Sequence, residues 1–400
     1  METTTPATTV IPSPSSAEKS REYELLLAYL SSPPDCIREL LDQIDWDRFQ
    51  SLADYHRVGP AISFRTAEMR PELRPANFSV LCHQSLEISK QNQEQWAELG
   101  RVLDAFVSRS IKVVPFKGVA LSYQLYSDWS VRPSSDIDLF VRSADVLRAM
   151  DCLSELGYRS GENISNEHMR SRVPVDIEHY LVFNNFGVDL HWGILPRWYG
   201  ELSTDRFVNE SEPKTLGERD VMVFRPEHHV LLLSLHAAKH FCDKLLWPLD
   251  IVHLVSQEEN LDWNEIVEIA TRARMEQHLF LTLAVCINFL GLRLPENLLA
   301  RIHDESCISE VLPEIAHAHA TAFSLEYSPR AVHWKIRFAS GARGRARFLM
   351  SMLFSPTIAD IQFIDLPAPL RFLYTPIRIS RLIGKFVARM LGIQQPKEAE

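Results

Sequence analysis

Cysteine is sparse in this chain. Six residues, Cys36, Cys82, Cys152, Cys242, Cys286 and Cys307, are scattered through 400 positions and none forms a CxxC pair. That spacing argues against a zinc ribbon or a dithiol redox motif and leaves free buried thiols in a reducing compartment as the expectation. Long apolar runs are also lacking. No stretch approaches the roughly 20 residues that a membrane span needs. The N-terminus has neither the basic nor the apolar region of a secretory signal, so a cytoplasmic location is expected. Nor is there an excess of positive charge. The formal net charge is −10, which argues against nucleic-acid binding by the chain as a whole.

What charge there is lies unevenly. Between Glu326 and Met390 there are eleven Lys/Arg against three Asp/Glu, so that segment carries +8 and the remainder −18. The length predicts two or three domains with ample material for a core. Residues 1–19 are rich in Thr, Ser and Pro and are expected to be a disordered tail. A helical region follows over 20–109, with Tyr23, Leu26, Leu27 and Leu30 on one helical face and Pro33-Pro34 ending that helix. His56 reads as a packing or capping residue rather than a ligand. From about Asn77 to Arg109 the sequence predicts one long amphipathic helix whose role is to deliver the next strand in register.

The informative stretch is 111–141, IKVVPFKGVALSYQLYSDWSVRPSSDIDLFV. An apolar strand, Ile111 to Pro115, runs into Lys117-Gly118 and a short helix from Val119 to Tyr126. After Arg132 and a Pro-Ser-Ser turn comes Asp136-Ile137-Asp138-Leu139-Phe140-Val141. Side chains of a strand alternate between faces, so Asp136 and Asp138 share one face and Ile137, Leu139 and Val141 the other. Two adjacent carboxylates repel, and a divalent cation such as Mg²⁺ resolves the conflict. Taken alone, a DxD is more often a solvated edge strand with two exposed acids than a metal site. Gly118 at the strand-to-helix junction adds a place where backbone approaches a ligand closely and a helix N-terminus receives an anion.

With these residues the stretch resembles the nucleotidyltransferase superfamily that shares the DNA polymerase β catalytic core. In that pattern a strand and a glycine turn open a helix, and the next strand carries two metal-binding acids two residues apart. More narrowly, FKG, a following Tyr, an Arg and DIDLFV resemble the bacterial nucleotidyltransferase family proteins, and are similar to the toxin nucleotidyltransferases of abortive-infection systems. The resemblance covers roughly residues 45–255. It implies an α+β fold: a polymerase β-like core, a small mixed sheet with flanking helices at 110–225, between an N-terminal helical segment and a C-terminal all-helical domain. Residues 226–325 would close the cleft, and 326–400 would form a basic helical segment. One departure stands out. Gly118 is followed by Val119, which has no hydroxyl to offer a phosphate.

A hairpin is expected next, with arms at Val175 to Phe183 and Val188 to Ile194 around Asn184-Asn185-Phe186-Gly187. On the second arm Val188, Leu190, Trp192 and Ile194 point one way, and Asp189, His191 and Gly193 the other. The resemblance, which extends to VDLHW, makes Asp189 the third catalytic acid, beside the acceptor hydroxyl. His191 shares its face as a substrate contact, a partner of the metal ligands, or a structural hydrogen bonder. Glu178 and His179 lie on opposite faces, so at most one looks into the site.

A helix is expected from His228 to about Cys242, opened by Pro226-Glu227. His229, His236 and His240 lie near one face. They span about 16 Å at 1.5 Å per residue, too far for one ion, and no HExxH glutamate accompanies them. Lys239 reads either as a cation for the β- and γ-phosphates or as a snorkelling surface lysine, and His236 or His240 as contacts to base or ribose. Trp247 and Asp250 are expected on the cleft wall. The basic C-terminal segment reads as helices packed on an acidic domain, an RNA-contacting face, or a membrane-surface helix.

The expected activity is transfer of a nucleoside monophosphate from an NTP to an acceptor with release of pyrophosphate. Asp136, Asp138 and Asp189 would hold two Mg²⁺ ions, and Lys117, Gly118, Arg132, Lys239, His191 and His240 would bind the nucleotide. A small molecule or biosynthetic intermediate is the favoured acceptor. RNA, such as a tRNA 3′ end, a protein side chain, or a non-catalytic nucleotide-binding role are the alternatives.

Overall fold

The computed structural model describes residues 20–161, 170, 172–173, 176–196, 198–339, 341–364 and 366–390. The expected tail at 1–19 lies outside them, as does most of the polar stretch 161–173, which reads in the sequence as a surface loop. The described chain opens with helices α1 (Arg21–Ser31), α2 (Pro34–Arg38), α3 (Trp46–His56) and α4 (Gly59–Thr66). Their starts follow from local chemistry. Ser20 accepts from the Tyr23 amide, Asp45 accepts from the amides of Asp47 and Arg48, and Pro34 opens α2.

One long helix, α5 (Phe78–Ser108), then leads into β1 (Val113–Pro115), α6 (Gly118–Tyr126), β2 (Ile137–Val141), α7 (Val146–Glu155), β3 (Arg159–Ser160), β4 (Glu178–Phe183) and β5 (Phe186–His191). The strands form a sheet of order β1-β2-β5-β4-β3. Among the described strands only β2 and β5 run parallel. A parallel neighbour needs a crossover, and α7, β3 and β4 supply it. In that pairing Asp138 stands opposite Asp189, and Phe140 opposite His191.

Three local expectations need correction. Ser143, two residues before Asp145, reads in the sequence as a helix N-cap. Instead a single 3-10 turn, Ser143–Asp145, precedes α7, and the amide and hydroxyl of Ser143 donate to Asp205 Oδ1 at 2.7 and 3.1 Å. The β5 strand ends at His191, three residues before its expected end, although Trp192 and Gly193 still donate to the Ile177 carbonyl. The stretch from Pro196 to Asp220 reads in the sequence as mixed and loop-like, but it contains α8 (Asp205–Asn209) and the first strand of a separate hairpin, β6 (Glu212–Leu216) with β7 (Arg219–Val223). Four of the five β6 residues are exposed, so no apolar alternation marks it.

The remainder is helical: α9 (Pro226–Lys239), α10 (Leu246–Gln257), α11 (Trp263–Arg272), α12 (Glu276–Leu290), α13 (Glu296–His303), α14 (Ser306–Ala320), α15 (Ala331–Phe338), α16 (Gly341–Phe354), α17 (Ile358–Phe363) and α18 (Tyr374–Met390). No described helix is long and apolar enough to cross a membrane. Strand alternation divides the core. Ile137, Leu139, Val188 and Leu190 pack with Leu99, Val102 and Phe106 of α5 and Leu153 of α7. Phe140 faces the other way, into a cluster that joins α1, α3 and α4 to α9 through α15. Asp138 of β2 and Asp189 of β5, on the Phe140 face, therefore look toward the helical layer.

The N-terminal helices are stitched to that layer by two buried histidines. His56 donates through Nε2 to the His319 carbonyl at 3.1 Å and accepts the Leu245 amide at Nδ1. His319 donates through Nε2 to the Cys242 carbonyl at 2.7 Å, which leaves Nδ1 to accept from the Tyr23 hydroxyl at 3.1 Å. Burial lowers both imidazoles, His319 to about 4, so both are neutral and their tautomers are fixed by these partners.

A carboxylate cluster at a glycine corner

The corner between β1 and α6 is built on backbone. Gly118 has φ +58, and a Cβ there would lie 2.7 Å from the Asp136 carbonyl and 3.1 Å from Ser134 Oγ. Both the left-handed conformation and the close approach demand glycine. The loop that brings Asp136 to this corner is held from α5. Asn92 donates to the carbonyls of Trp129 and Arg132 at 2.8 and 2.9 Å, and Gln91 donates to the Ser134 carbonyl at 3.0 Å. From the other side His229 donates to the Phe116 carbonyl at 3.0 Å, and Phe116 in turn donates to the Asp138 carbonyl. His229 is thus spent on the scaffold.

On the sheet face, Asp138, Asp189 and His191 present ligand atoms that all lie within 4.8 Å of one another. Asp136, just before β2, opens onto the same cleft of about 280 Å³, together with Lys117, Gly118, Glu178, Lys239, His240 and Trp247. The register of β4 against β5 places Glu178 opposite His191, so Glu178, not His179, is the hairpin acid that looks in.

The charges interlock. Lys117 Nζ lies 2.9 Å from Asp138 Oδ1 and 3.4 Å from His236 Nε2. Burial and then Lys117 push His236 well below 6.5, so its neutral ring accepts from the ammonium. His191 Nε2 lies 3.1 Å from Asp138 Oδ1 and 3.3 Å from Asp189 Oδ2, and its Nδ1 is 3.3 Å from Glu178 Oε2. Burial opposes the imidazolium, but Asp189, Asp138 and Glu178 outweigh it and hold His191 well above its usual value. Burial likewise opposes ionisation of Asp138, and Lys117 and His191 overcome it, keeping this carboxyl below the ordinary range. Burial, and then Asp138, push Asp136 up to about 6. The pull of Lys117 and of the Ser135 hydroxyl, 3.1 Å from its Oδ1, is too weak to prevail. An acid held up by a neighbouring acid has the electrostatics of a site that favours a cation.

The remaining expected residues divide. Lys239 Nζ is 2.7 Å from Glu178 Oε1, and His240 Nδ1 is 2.5 Å from Glu326 Oε2; both line the cleft. His236, His240 and Trp247 touch one another with ring centroids 5.2 Å apart. Arg132 also borders the cleft, but its guanidinium is buried and committed. It grips Asp250 at 2.8 and 2.9 Å and donates to the Gly118 carbonyl at 3.1 Å. Arg132 is therefore a positioning residue for the glycine corner and not a free phosphate cation, and Asp250 is its buried counter-ion.

Arg57 was not anticipated. It follows α3 in a left-handed conformation, lines the cleft, and forms no side-chain hydrogen bond or ion pair with a described residue. A lone arginine at a helix end carries no sequence signal of its own. Only the packing of the N-terminal helices against the helical layer brings it to the acids.

Residues 42–291 match the family described as an uncharacterised nucleotidyltransferase. The chain belongs to that family. The match begins before α3 and ends at Gly291, just past α12, so it takes in Arg57, the glycine corner, the three acids, Glu178 and the α9–α10 wall. No curated protein matches the chain. Membership supports nucleotidyl transfer in general, and an NTP is the corresponding substrate.

Proposed function

We propose that this nucleotidyltransferase is a divalent-metal-dependent enzyme with a polymerase β-like core, which moves an NMP from an NTP to a hydroxyl of a small-molecule acceptor. The observation that carries the reading is the parallel register of Asp138 against Asp189, beside Asp136 and the Gly118 corner. The donor set fits Mg²⁺: hard carboxylate oxygens, one of them on a group whose ionisation is disfavoured without a cation. Asp136, Asp138 and Asp189 would hold two ions, which when bound neutralise charge on the triphosphate and make the acceptor hydroxyl more acidic. Arg57, Lys117 and the amides at the start of α6 would orient the phosphates. Trp247 and His240 supply ring faces for the nucleoside. Catalysis would rest on positioning and charge stabilisation.

The test is calorimetric titration of Mg²⁺ with each NTP into wild type and Asp189→Asn. The reading expects metal-dependent nucleotide binding by the wild type that the variant weakens by at least about tenfold. Equal binding by both, or binding without metal, counts against it. That second outcome belongs to a rival reading, favoured by the Lys117–Asp138 and His191–Asp138 contacts: the protein's own cations satisfy the acids, and the fold binds nucleotide without catalysis.

A further inference from the structure

Beyond the catalytic cleft, on the side of the C-terminal helices, lie two more cavities. One, of about 390 Å³, has Glu178 in its wall, together with Ile177, Trp198, Phe348 and Met352. Glu178 is also in the wall of the catalytic cleft. The other, of about 660 Å³, shares Ile177, Trp198, Ser351 and Ser355 with the first and continues to Trp192 and Leu195. The three spaces meet in sequence. A groove of small-molecule dimensions, about 300 to 1,000 Å³ by general experience, thus ends at the carboxylate that touches both His191 and Lys239.

The groove's own chemistry narrows its ligand. Its cations are matched within the protein: Arg172 with Asp176 at 2.5 and 2.7 Å, Arg347 with Glu201 at 3.2 Å, and Arg378 with Asp360 at 3.2 Å. A charged ligand would find no counter-charge without breaking a pair, and would lose its hydration on entering. Between these pairs the wall is mostly apolar by area, from Ile177, Trp192, Leu195, Trp198, Phe348 and Met352, beside the Ser351 and Ser355 hydroxyls. Trp198 Nε1 is buried and has no hydrogen-bond acceptor among the described residues. Such an orphan N–H costs about 1 to 3 kcal/mol unless a ligand oxygen meets it.

We propose that this groove is the acceptor site, and that the acceptor is a neutral, largely apolar or aromatic small molecule whose hydroxyl reaches past Glu178 to the carboxylate cluster. The proposal rests on the transferase reading above. The acceptor oxygen forms a bond to the α-phosphorus. The bond from that phosphorus to the α,β-bridging oxygen breaks, pyrophosphate leaves with the electron pair, and the hydroxyl proton passes to the Asp189 carboxylate. The C-terminal segment thereby gains a role in substrate selection.

The test uses the full chain and Nile red, a neutral aromatic dye, as the probe. Wild type, Ser351→Trp and Ser355→Trp are titrated with the dye, while retention of labelled Mg·NTP is measured in parallel on each. Both substitutions place an indole in the groove and leave the acid cluster untouched. The expected result is one dye site per chain, weakened at least about tenfold in both variants, with NTP retention as in the wild type. The dye should also inhibit label transfer to a small-molecule extract competitively with the extract and not with the NTP. Dye binding equal in all three proteins, or dye binding that leaves transfer unaffected, overturns the inference while the transferase reading stands. A variant-sensitive dye site in a protein that retains no NTP overturns the transferase reading and, with it, the acceptor role of the groove.

Discussion

At the scale of single residues, the three acids were legible because their chemistry is local. A period-two alternation aligned Asp136 with Asp138, and a second strand offered Asp189 on its polar face. Partners from distant segments were not legible. Arg132 looked like a phosphate cation until Asp250, 118 positions on, claimed it. Asp250→Ala would strand a guanidinium that is 4% exposed, and loss of one partner of such a pair costs about 3 to 5 kcal/mol. Urea unfolding should register that loss, and the glycine corner should loosen with it. Arg57→Ala should do the opposite. With no side-chain partner to abandon, stability should change by less than about 1 kcal/mol, while KM for the NTP rises about tenfold through the lost phosphate contact. Steady-state kinetics beside a thermal melt separates the two cases.

At the scale of elements, the helices were read well because caps and prolines mark them. Asp262 caps α11, Pro226 opens α9 and Gly291 closes α12, each a residue type that marks a helix end by its own chemistry. Of the β6–β7 hairpin only the second arm is legible, as a short strand at Val221 to Phe224; the first arm is exposed and weakly patterned. The α6 corner carries a sharp expectation. Gly118→Ala forces a side chain into φ +58 and against the Asp136 carbonyl, so nucleotide binding should fall even where the circular dichroism spectrum is unchanged. The buried histidines that join the N-terminal helices to the helical layer set a pH dependence. His319 titrates near 4 in the folded chain and near 6.5 when unfolded. The unfolded chain therefore binds the extra proton first as pH falls below 6.5. Stability is full above that value and declines between pH 6.5 and 4, by at most about 3 kcal/mol for this residue. His278, lowered by burial to about 4 as well, acts in the same direction. Thermal midpoints taken from pH 7.5 to 4.5 should fall, and His319→Gln should flatten part of that slope.

At the scale of the molecule, the sequence indicated a small mixed sheet between helical segments, but not that the N-terminal helices close on the helical layer and bring Arg57 into the cleft wall. That closure depends on contacts such as Tyr23 with His319 and Tyr55 with Asp243, which span some two to three hundred positions and leave no local pattern. The basic C-terminal segment divides in a similar way. Arg330 and Arg337 pair with Glu314 and Glu310 of α14, and Arg347 with Glu201, as packing on an acidic body requires, while Arg343 and Arg345 are exposed. The central claim is that the acids of β2 and β5 form one metal-dependent transfer site. Its most direct test incubates each α-labelled NTP with Mg²⁺ and a cell extract, in the presence of wild type or Asp138→Asn. The account predicts a labelled product with the wild type that disappears without Mg²⁺ and falls by at least about 100-fold in the variant. Equal labelling by the two proteins would contradict it.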